Sequence, residues 1–209
     1  MKFITVGWDK DPPLKALIAS GAGSEGVGLL IAFTDNVEGD SRSRKNAEGI
    51  AELVRRGGAK AEIFEIPLTD IGKGLKSALD AVEEGSSVYL AGGPRLLNVL
   101  VFTAAMLRGA KIYSVPEYEG PIAEITPLSA VLALPCVDEV KAAILSAMDS
   151  AMTQSDIARA AGKHQATVSR NLDTLIALGL VEDRGGRPKR YQASPLAKLM
   201  LPYVRIRCR

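Results

Sequence analysis

Histidine, cysteine and aromatic residues are scarce in this chain, and each scarcity removes a class of function. One histidine, His164, and two cysteines, Cys136 and Cys208, among 209 residues leave no cluster with metal-ligand spacing. No metal or other cofactor is therefore expected, and the two thiols read as reduced, as in a cytoplasmic protein. No apolar run reaches the roughly 18 residues of a membrane span, so no membrane partner is expected. The start, Met1 to Val6, passes straight into a strand pattern without the layout of a signal peptide. The P-loop pattern G-x-x-x-x-G-K-[ST] is missing, which argues against a P-loop nucleotide hydrolase. The letters G-x-G-x-x-G do occur, from Gly21 to Gly26. They follow a helix pattern and precede a strand, the reverse of the dinucleotide fingerprint, so they are set aside.

What is present is unevenly charged. Residues 1–135 carry 14 Lys and Arg against 17 Asp and Glu, a net of −3; the remainder carries 12 against 7, a net of +5. A basic end on an acidic body points to nucleic acid as the partner of one end only. Residues 1–135 also alternate strand and helix patterns. Strands are predicted at 3–8, 27–33, 61–66, 87–91 and 111–115, with an edge strand between Glu119 and Pro127. Helices are predicted at 14–19, 46–56, 71–82 and 95–108, with Ala47, Ile50, Ala51 and Val54 forming one inward face. The run Thr34 to Lys45 reads as a polar loop, whose Arg42, Arg44 and Lys45 either reach a phosphate or form a solvated helix entry. Such alternation means a parallel sheet with helices on both faces, and right-handed crossovers predict strand order 3-2-1-4-5.

That order sets the loop after strand 1, Gly7-Trp8-Asp9-Lys10, beside the loop after strand 4, Gly92-Gly93-Pro94-Arg95, at the switch point where open α/β sheets bind ligands. Two glycines permit a sharp turn, and Pro94 suits a first helical position. Arg95 in the first helical turn opposes the helix dipole, which suggests an accompanying anion such as phosphate. Read alone, the stretch serves equally as a tight strand-to-helix turn with a solvated arginine.

From residue 136 the pattern changes to helices and a hairpin. A helix at 138–150, with Val140, Ala143, Ile144, Ala147 and Met148 inward, precedes a second one opened by Thr153 and Asp156 as a capping box and closed by Gly162. A third helix, 165–178, buries Val168, Leu172, Leu175 and Ile176. This is a helix-turn-helix, whose second helix enters the major groove of DNA. Lys163, His164, Gln165, Thr167, Ser169 and Arg170 are its candidate DNA contacts. The hairpin turning at Gly185-Gly186 brings Arg184, Arg187, Lys189 and Arg190 as a basic wing. A last helix at 196–203 and the tail with Arg205, Arg207 and Arg209 complete the chain. The fold class is thus an α/β Rossmann-like parallel-sheet domain, 1–135, followed by an α+β winged helix-turn-helix domain, 136–209.

The motif Leu90-Ala91-Gly92-Gly93-Pro94-Arg95-Leu96-Leu97 followed by this winged domain resembles the CRISPR-associated transcriptional regulators that join a CARF domain to a MarR-like DNA-binding domain. Ala91 and Pro94 depart from the Ser-Gly-Gly-Met-Arg often found there. The resemblance implies a homodimer that senses a cyclic oligoadenylate, above all cyclic tetra-adenylate, between two CARF halves, and binds promoter double-stranded DNA. Carried over, Gly7, Trp8, Asp9 and Lys10 with Gly92, Gly93, Pro94 and Arg95 form the ligand site. A two-fold ring of four phosphates suits two copies of Arg95 and two helix N-termini. Trp8 either stacks on adenine or packs at its strand end. A ring nuclease using Arg95 and Lys10 is the enzymatic alternative. The acidic half has no histidine and no evident acid–base pair, so the chain is read as a non-enzyme. A generic metabolite-responsive repressor is the third reading.

Overall fold

The computed structural model describes residues 1–21, 26–34 and 36–203. Contacts divide the chain into two compact units, Met1–Thr126 and a second that begins at Pro127. Composition sets the boundary at 135/136; contacts set it earlier, since Ala130 is buried in the core of the second unit.

The first unit is a six-stranded sheet of β1 (Lys2–Val6), β2 (Val27–Phe33), β3 (Ala61–Pro67), β4 (Ser87–Leu90), β5 (Lys111–Ser114) and β6 (Ala123–Glu124). Its order is β3-β2-β1-β4-β5-β6, parallel except for β6, which pairs antiparallel with β5. This is the order that right-handed crossovers predict. Side chains alternate across the sheet and fill two cores. Phe3, Leu30 and Val88 join Ala78, Leu97 and Leu100 on one face. Ile4, Leu29 and Ile31 join Ala16, Ala47 and Ile50 on the other. Burial of both faces explains why β2 is a continuous apolar run.

The helices are α1 (Asp11–Ala19), α2 (Val37–Arg56), α3 (Ile71–Ala81) and α4 (Arg95–Leu107). Three differ from the sequence reading. α1 begins at Asp11, three residues before Leu14, because Pro12 and Pro13 fit its first turn. α2 begins nine residues before Asn46, so most of the polar run 34–45 is helix and not loop. Asn36 caps it by accepting the Gly39 N–H at 3.0 Å, and Glu38 and Asp40 in the first turn favour the dipole. The helix is legible on the face behind it, where Ala47, Ile50, Ala51 and Val54 are buried as predicted. Pro94 is the N-cap of α4, with φ −56° and ψ 146°, and Arg95 takes the first helical position assigned above to Pro94. Residues 22–25, inside the Gly21–Gly26 pattern, lie outside the described residues, as do Asp35 and the tail 204–209 with Cys208.

The second unit contains a 3-10 segment (Thr126–Cys136), α5 (Glu139–Ala147), β7 (Met152–Thr153), α6 (Gln154–Ala161), α7 (Gln165–Ala177), β8 (Val181–Gly185), β9 (Arg190–Ala193) and α8 (Pro195–Met200), ending in a 3-10 turn (Leu201–Tyr203). α5 stops three residues short of the predicted Ser150, and α8 stops at Met200. Its short three-stranded sheet has the order β7-β9-β8; β7, two residues long, is the member not predicted. Ile144, Leu145, Met148, Ile157, Val168, Leu172 and Leu175 form the core, with Ile176 half-buried against it. Thr153 caps α6, accepting the Asp156 N–H at 3.3 Å and donating to Asp156 Oδ2 at 2.6 Å. Gly162 ends that helix in the left-handed region at φ +62°. Among the described residues no helix is long and apolar enough to cross a membrane.

Two stability predictions follow from these local arrangements. A Cβ on Gly7 would lie 2.2 Å from the Gly93 amide nitrogen, whereas one on Gly49, inside α2, would meet nothing within 4 Å. Gly7→Ala is expected to destabilise the first unit by about 1–3 kcal/mol and Gly49→Ala to stabilise it by about 0.5–1 kcal/mol, read by urea unfolding of the Trp8 fluorescence. In the second unit, Asp138 caps α5 by accepting the Lys141 N–H at 2.9 Å. The Lys141 ammonium hydrogen-bonded to its side chain holds that carboxyl below its usual range. Asp138→Ala should cost about 1 kcal/mol as a lost cap. A depressed folded pKa means that the wild-type advantage is full above the ordinary aspartate value of about 3.9 and fades as pH falls through the folded one. Thermal melts of both proteins from neutral pH downward should therefore converge under acid.

Candidate functional site

At the carboxyl edge of the first sheet, the loops after β1 and β4 are pressed together. Gly7 is buried against the backbone of Gly93, and Gly93 itself has φ +91°. A side chain at either position would collide, at 2.2 Å for Gly7 and with Leu97 at 2.7 Å for Gly93. These glycines thus serve loop-to-loop contact first, in addition to sharp turning.

A buried polar network holds the second loop. The Thr5 hydroxyl, on fully buried β1 backbone, accepts the N–H groups of Ala91 at 2.8 Å and Gly92 at 3.1 Å and donates to Asn98 Oδ1 at 2.9 Å. Asn98 Nδ2 in turn donates to the carbonyls of Gly92, Gly93 and Pro94, at 3.1, 3.4 and 3.3 Å. Sequence reasoning missed both residues. The signal was a lone threonine in the apolar run Phe3 to Val6 and a lone asparagine in the apolar α4, since buried polar groups are retained where they find partners.

The first loop is held from α2. Asn46 Nδ2 donates to the carbonyls of Gly7 and Trp8, both at 3.0 Å, and Trp8 Nε1 donates to the Gly39 carbonyl at 3.2 Å. Asp9 Oδ1 accepts the Asp11 N–H at 3.0 Å, shaping the entry to α1.

Between these loops and the start of α2 opens a cavity of about 510 Å³. Its wall includes Trp8, Asp9, Gly92, Gly93 and Pro94, five of the eight ligand residues expected from sequence, together with Thr34, Asp40, Ser43 and Glu117. The other three are placed differently. Gly7 is buried against the Gly93 backbone, Lys10 borders a separate hollow that Trp8 and Asp9 also line, and Arg95 is exposed and absent from the cavity wall. Arg95 forms no hydrogen bond or ion pair among the described residues. The cavity wall holds no lysine or arginine and three acids, Asp9, Asp40 and Glu117. Asp40 is already engaged, accepting the Thr34 N–H at 2.7 Å and its hydroxyl at 2.9 Å. The N-cap of α4 offers no side-chain acceptor, which leaves the first N–H groups of that helix facing the same sheet edge.

In the second unit, Lys163, His164, Gln165, Ser169 and Arg170 are exposed at the start and along the outer face of α7, while Thr167 is half-buried. The Gln165 carbonyl accepts from Gln154 Nε2 at 3.3 Å, tying α7 to α6. The wing is partly self-neutralised. Arg184 pairs with Glu182 at 2.5 Å and Lys189 with Asp183 at 3.3 Å, and Arg190 donates to the Ala151 carbonyl at 3.1 Å. The Gly185 N–H on Asp183 keeps that carboxyl below its usual range. Arg187 is exposed at the tip and has no such partner among the described residues.

A parallel α/β unit hollowed at its topological switch point, joined in one chain to a helix-turn-helix with a polar, cationic second helix, defines a two-unit DNA-binding regulator. Residues 1–126 match the model of the Csa3 CRISPR-associated Rossmann-like domain, and residues 143–185 match that of the IclR helix-turn-helix domain. The chain belongs to the Csa3 family of CRISPR-associated DNA-binding regulators. A relative from Thermoproteus tenax, "CRISPR locus-related putative DNA-binding protein Csa3", is 33% identical over 193 residues, 92% of this chain and 91% of its own. The DNA-binding unit is thus typed as IclR-like, where the sequence suggested a MarR-like one. Among solved structures, Can2 from Sulfobacillus thermosulfidooxidans in complex with cyclic tetra-adenylate is similar with a TM-score of 0.43 and 11% identity. VC1899 from Vibrio cholerae is similar with a TM-score of 0.44 and 8% identity. Each alignment covers 96% of this chain, which spans only 61% and 63% of those longer chains.

The network on Thr5 is directly testable. Thr5→Val keeps the shape and strands the Ala91 and Gly92 N–H groups, so it should cost about 1–3 kcal/mol in Trp8-detected unfolding, while Thr5→Ser should retain most of the stability. Hydrogen exchange at Ala91 and Gly92 should accelerate in Thr5→Val and stay slow in Thr5→Ser.

Proposed function

We propose that this chain is a homodimeric regulator that senses a cyclic oligoadenylate, cyclic tetra-adenylate in particular, at the carboxyl edge of its parallel sheet and binds promoter double-stranded DNA through its helix-turn-helix. The observation that carries this reading is the clasp of Gly7 on Gly93 beside the cavity of about 510 Å³, at the switch point of a chain that also bears a DNA reader. Several features support it. The uncapped α4 presents amide donors to an anion. Trp8 is half-exposed in the cavity wall, available to a base. Arg95 stands outside the cavity, where a two-fold axis lets each protomer offer it to a shared ring. On the second unit, Lys163, His164, Gln165, Thr167, Ser169 and Arg170 read base edges and adjacent phosphates, and Arg187 holds backbone at the wing.

In this role the chain binds its ligand and does not cut it. Ligand and DNA affinities are then coupled, and the coupling is the same in both directions. Calorimetric titration of cyclic tetra-adenylate into the wild-type protein should show one ring per dimer, with Arg95→Ala weakened at least tenfold. No binding to the wild type sinks the sensor reading; equal affinity of the variant removes Arg95 from the site. Arg170→Ala should lose operator binding at unchanged ligand affinity. Incubation of ligand with protein should yield no linear product, and linear product would reassign the chain as a ring nuclease.

A further inference from the structure

Trp8 and Asp9 line two hollows that differ in charge. The one between the β1 and β4 loops has no lysine or arginine in its wall. The other, about 530 Å³, lies on the α1 side and is lined by Trp8, Asp9, Lys10, Asp11, Arg42 and Asn46. Its two cations face two acids, but Asp9 is drawn onto the Asp11 N–H at 3.0 Å, and Asp11 sits in the first turn of α1 against the positive helix end. Arg42 has its guanidinium carbon 5.9 Å from the Trp8 ring centroid, within cation–π range. It has no carboxylate partner among the described residues, although its neighbour Arg44 is paired with Glu65. The indole that Arg42 rests on is itself fixed. Gly39 accepts its N–H, and Asn46 holds its carbonyl. Gly39, Arg42 and Asn46 recur at three- and four-residue spacing on one face of α2, so a single helix face sets Trp8 and Arg42 together.

We propose that Arg42 is a second phosphate-binding cation of this site beside Arg95, positioned by Trp8, and that Trp8 stands between a hollow for a nucleobase and a hollow for a phosphate. This rests on the reading that the carboxyl edge takes a cyclic oligoadenylate. A polyanion is repelled from a wall with three carboxylates and no cation, so the uncharged base is the part of a nucleotide that enters there. The phosphodiester is placed in the other hollow. There a guanidinium lying over an aromatic ring still presents its planar fork of N–H groups to phosphate oxygens.

Two probes, pyrophosphate and cyclic tetra-adenylate, are titrated into wild type, Arg42→Ala, Arg42→Lys and Arg44→Ala, read by calorimetry and by emission of Trp8, the only tryptophan. Arg42→Ala is expected to bind cyclic tetra-adenylate at least tenfold more weakly and to lose the Trp8 response to pyrophosphate. Arg42→Lys should recover part of both, and Arg44→Ala should stay within twofold of wild type. Undiminished binding of cyclic tetra-adenylate by Arg42→Ala overturns the assignment and leaves the sensor reading standing. A wild type blind to cyclic tetra-adenylate whose pyrophosphate response vanishes in Arg42→Ala keeps the phosphate site and removes that ligand. A wild type that responds to neither probe overturns both.

Discussion

Two backbones that touch with no side chain between them govern the carboxyl edge of the first unit. Gly7 and Gly93 approach so closely that a single methyl on Gly7 would drive the loops apart, while one on Gly93 would collide with Leu97. Because β1 and β4 are neighbours with helices leaving in opposite directions, their ends would otherwise diverge into an open crevice. The glycine contact closes the floor of that crevice, and the Thr5–Asn98 network then orients what lies above it. With the Ala91 and Gly92 amides turned inward onto Thr5 and three carbonyls taken by Asn98, the loop keeps its shape without a ligand. Preorganised donors bind more tightly than groups that must be ordered on binding.

The second unit is built on different economy. Its core is aliphatic, and its geometry is set by local devices: the Thr153–Asp156 pair caps the start of α6, and the left-handed Gly162 ends that helix before α7. The outer face of α7 then remains polar because none of its residues is needed to bury the helix. The wing carries four cations, but Glu182, Asp183 and the Ala151 carbonyl engage three of them, leaving Arg187 the freest. DNA would have to compete with those partners for the rest, which tempers the electrostatic hold that composition alone suggests.

Legibility differed by the range of the interaction. Strand order followed from alternation and handedness, and the helix-turn-helix from caps and apolar spacing within about thirty residues. The polar run 34–45 misled because its charges resemble a loop, while the apolar face that marks a helix starts only at Ala47. A cap at Asn36 and contact with Trp8 extend α2 across that run. Arg95 drew attention as a cation against a dipole, and it is exposed and not part of the cavity wall. Arg42, the sixth residue of α2, is the one brought against Trp8.

The order of apolar and polar residues by itself determined two units, a doubly covered parallel sheet, a helix-turn-helix with its hairpin, and which two loops share one edge of the sheet. These are consequences of periodicity and handedness, which act along the chain and need no knowledge of distant partners. Only the tertiary structure decided why Gly7 and Gly93 are glycines, what Thr5, Asn46 and Asn98 hold, and that Arg42 and not Arg95 stands beside Trp8. Apart from the local bonds of Asn98 to Gly92, Gly93 and Pro94, each of those depends on residues tens of positions apart meeting within a few ångströms. The pairing of β1 with β4 creates the glycine and threonine contacts, and contact of α2 with the loop after β1 creates those of Asn46 and Arg42.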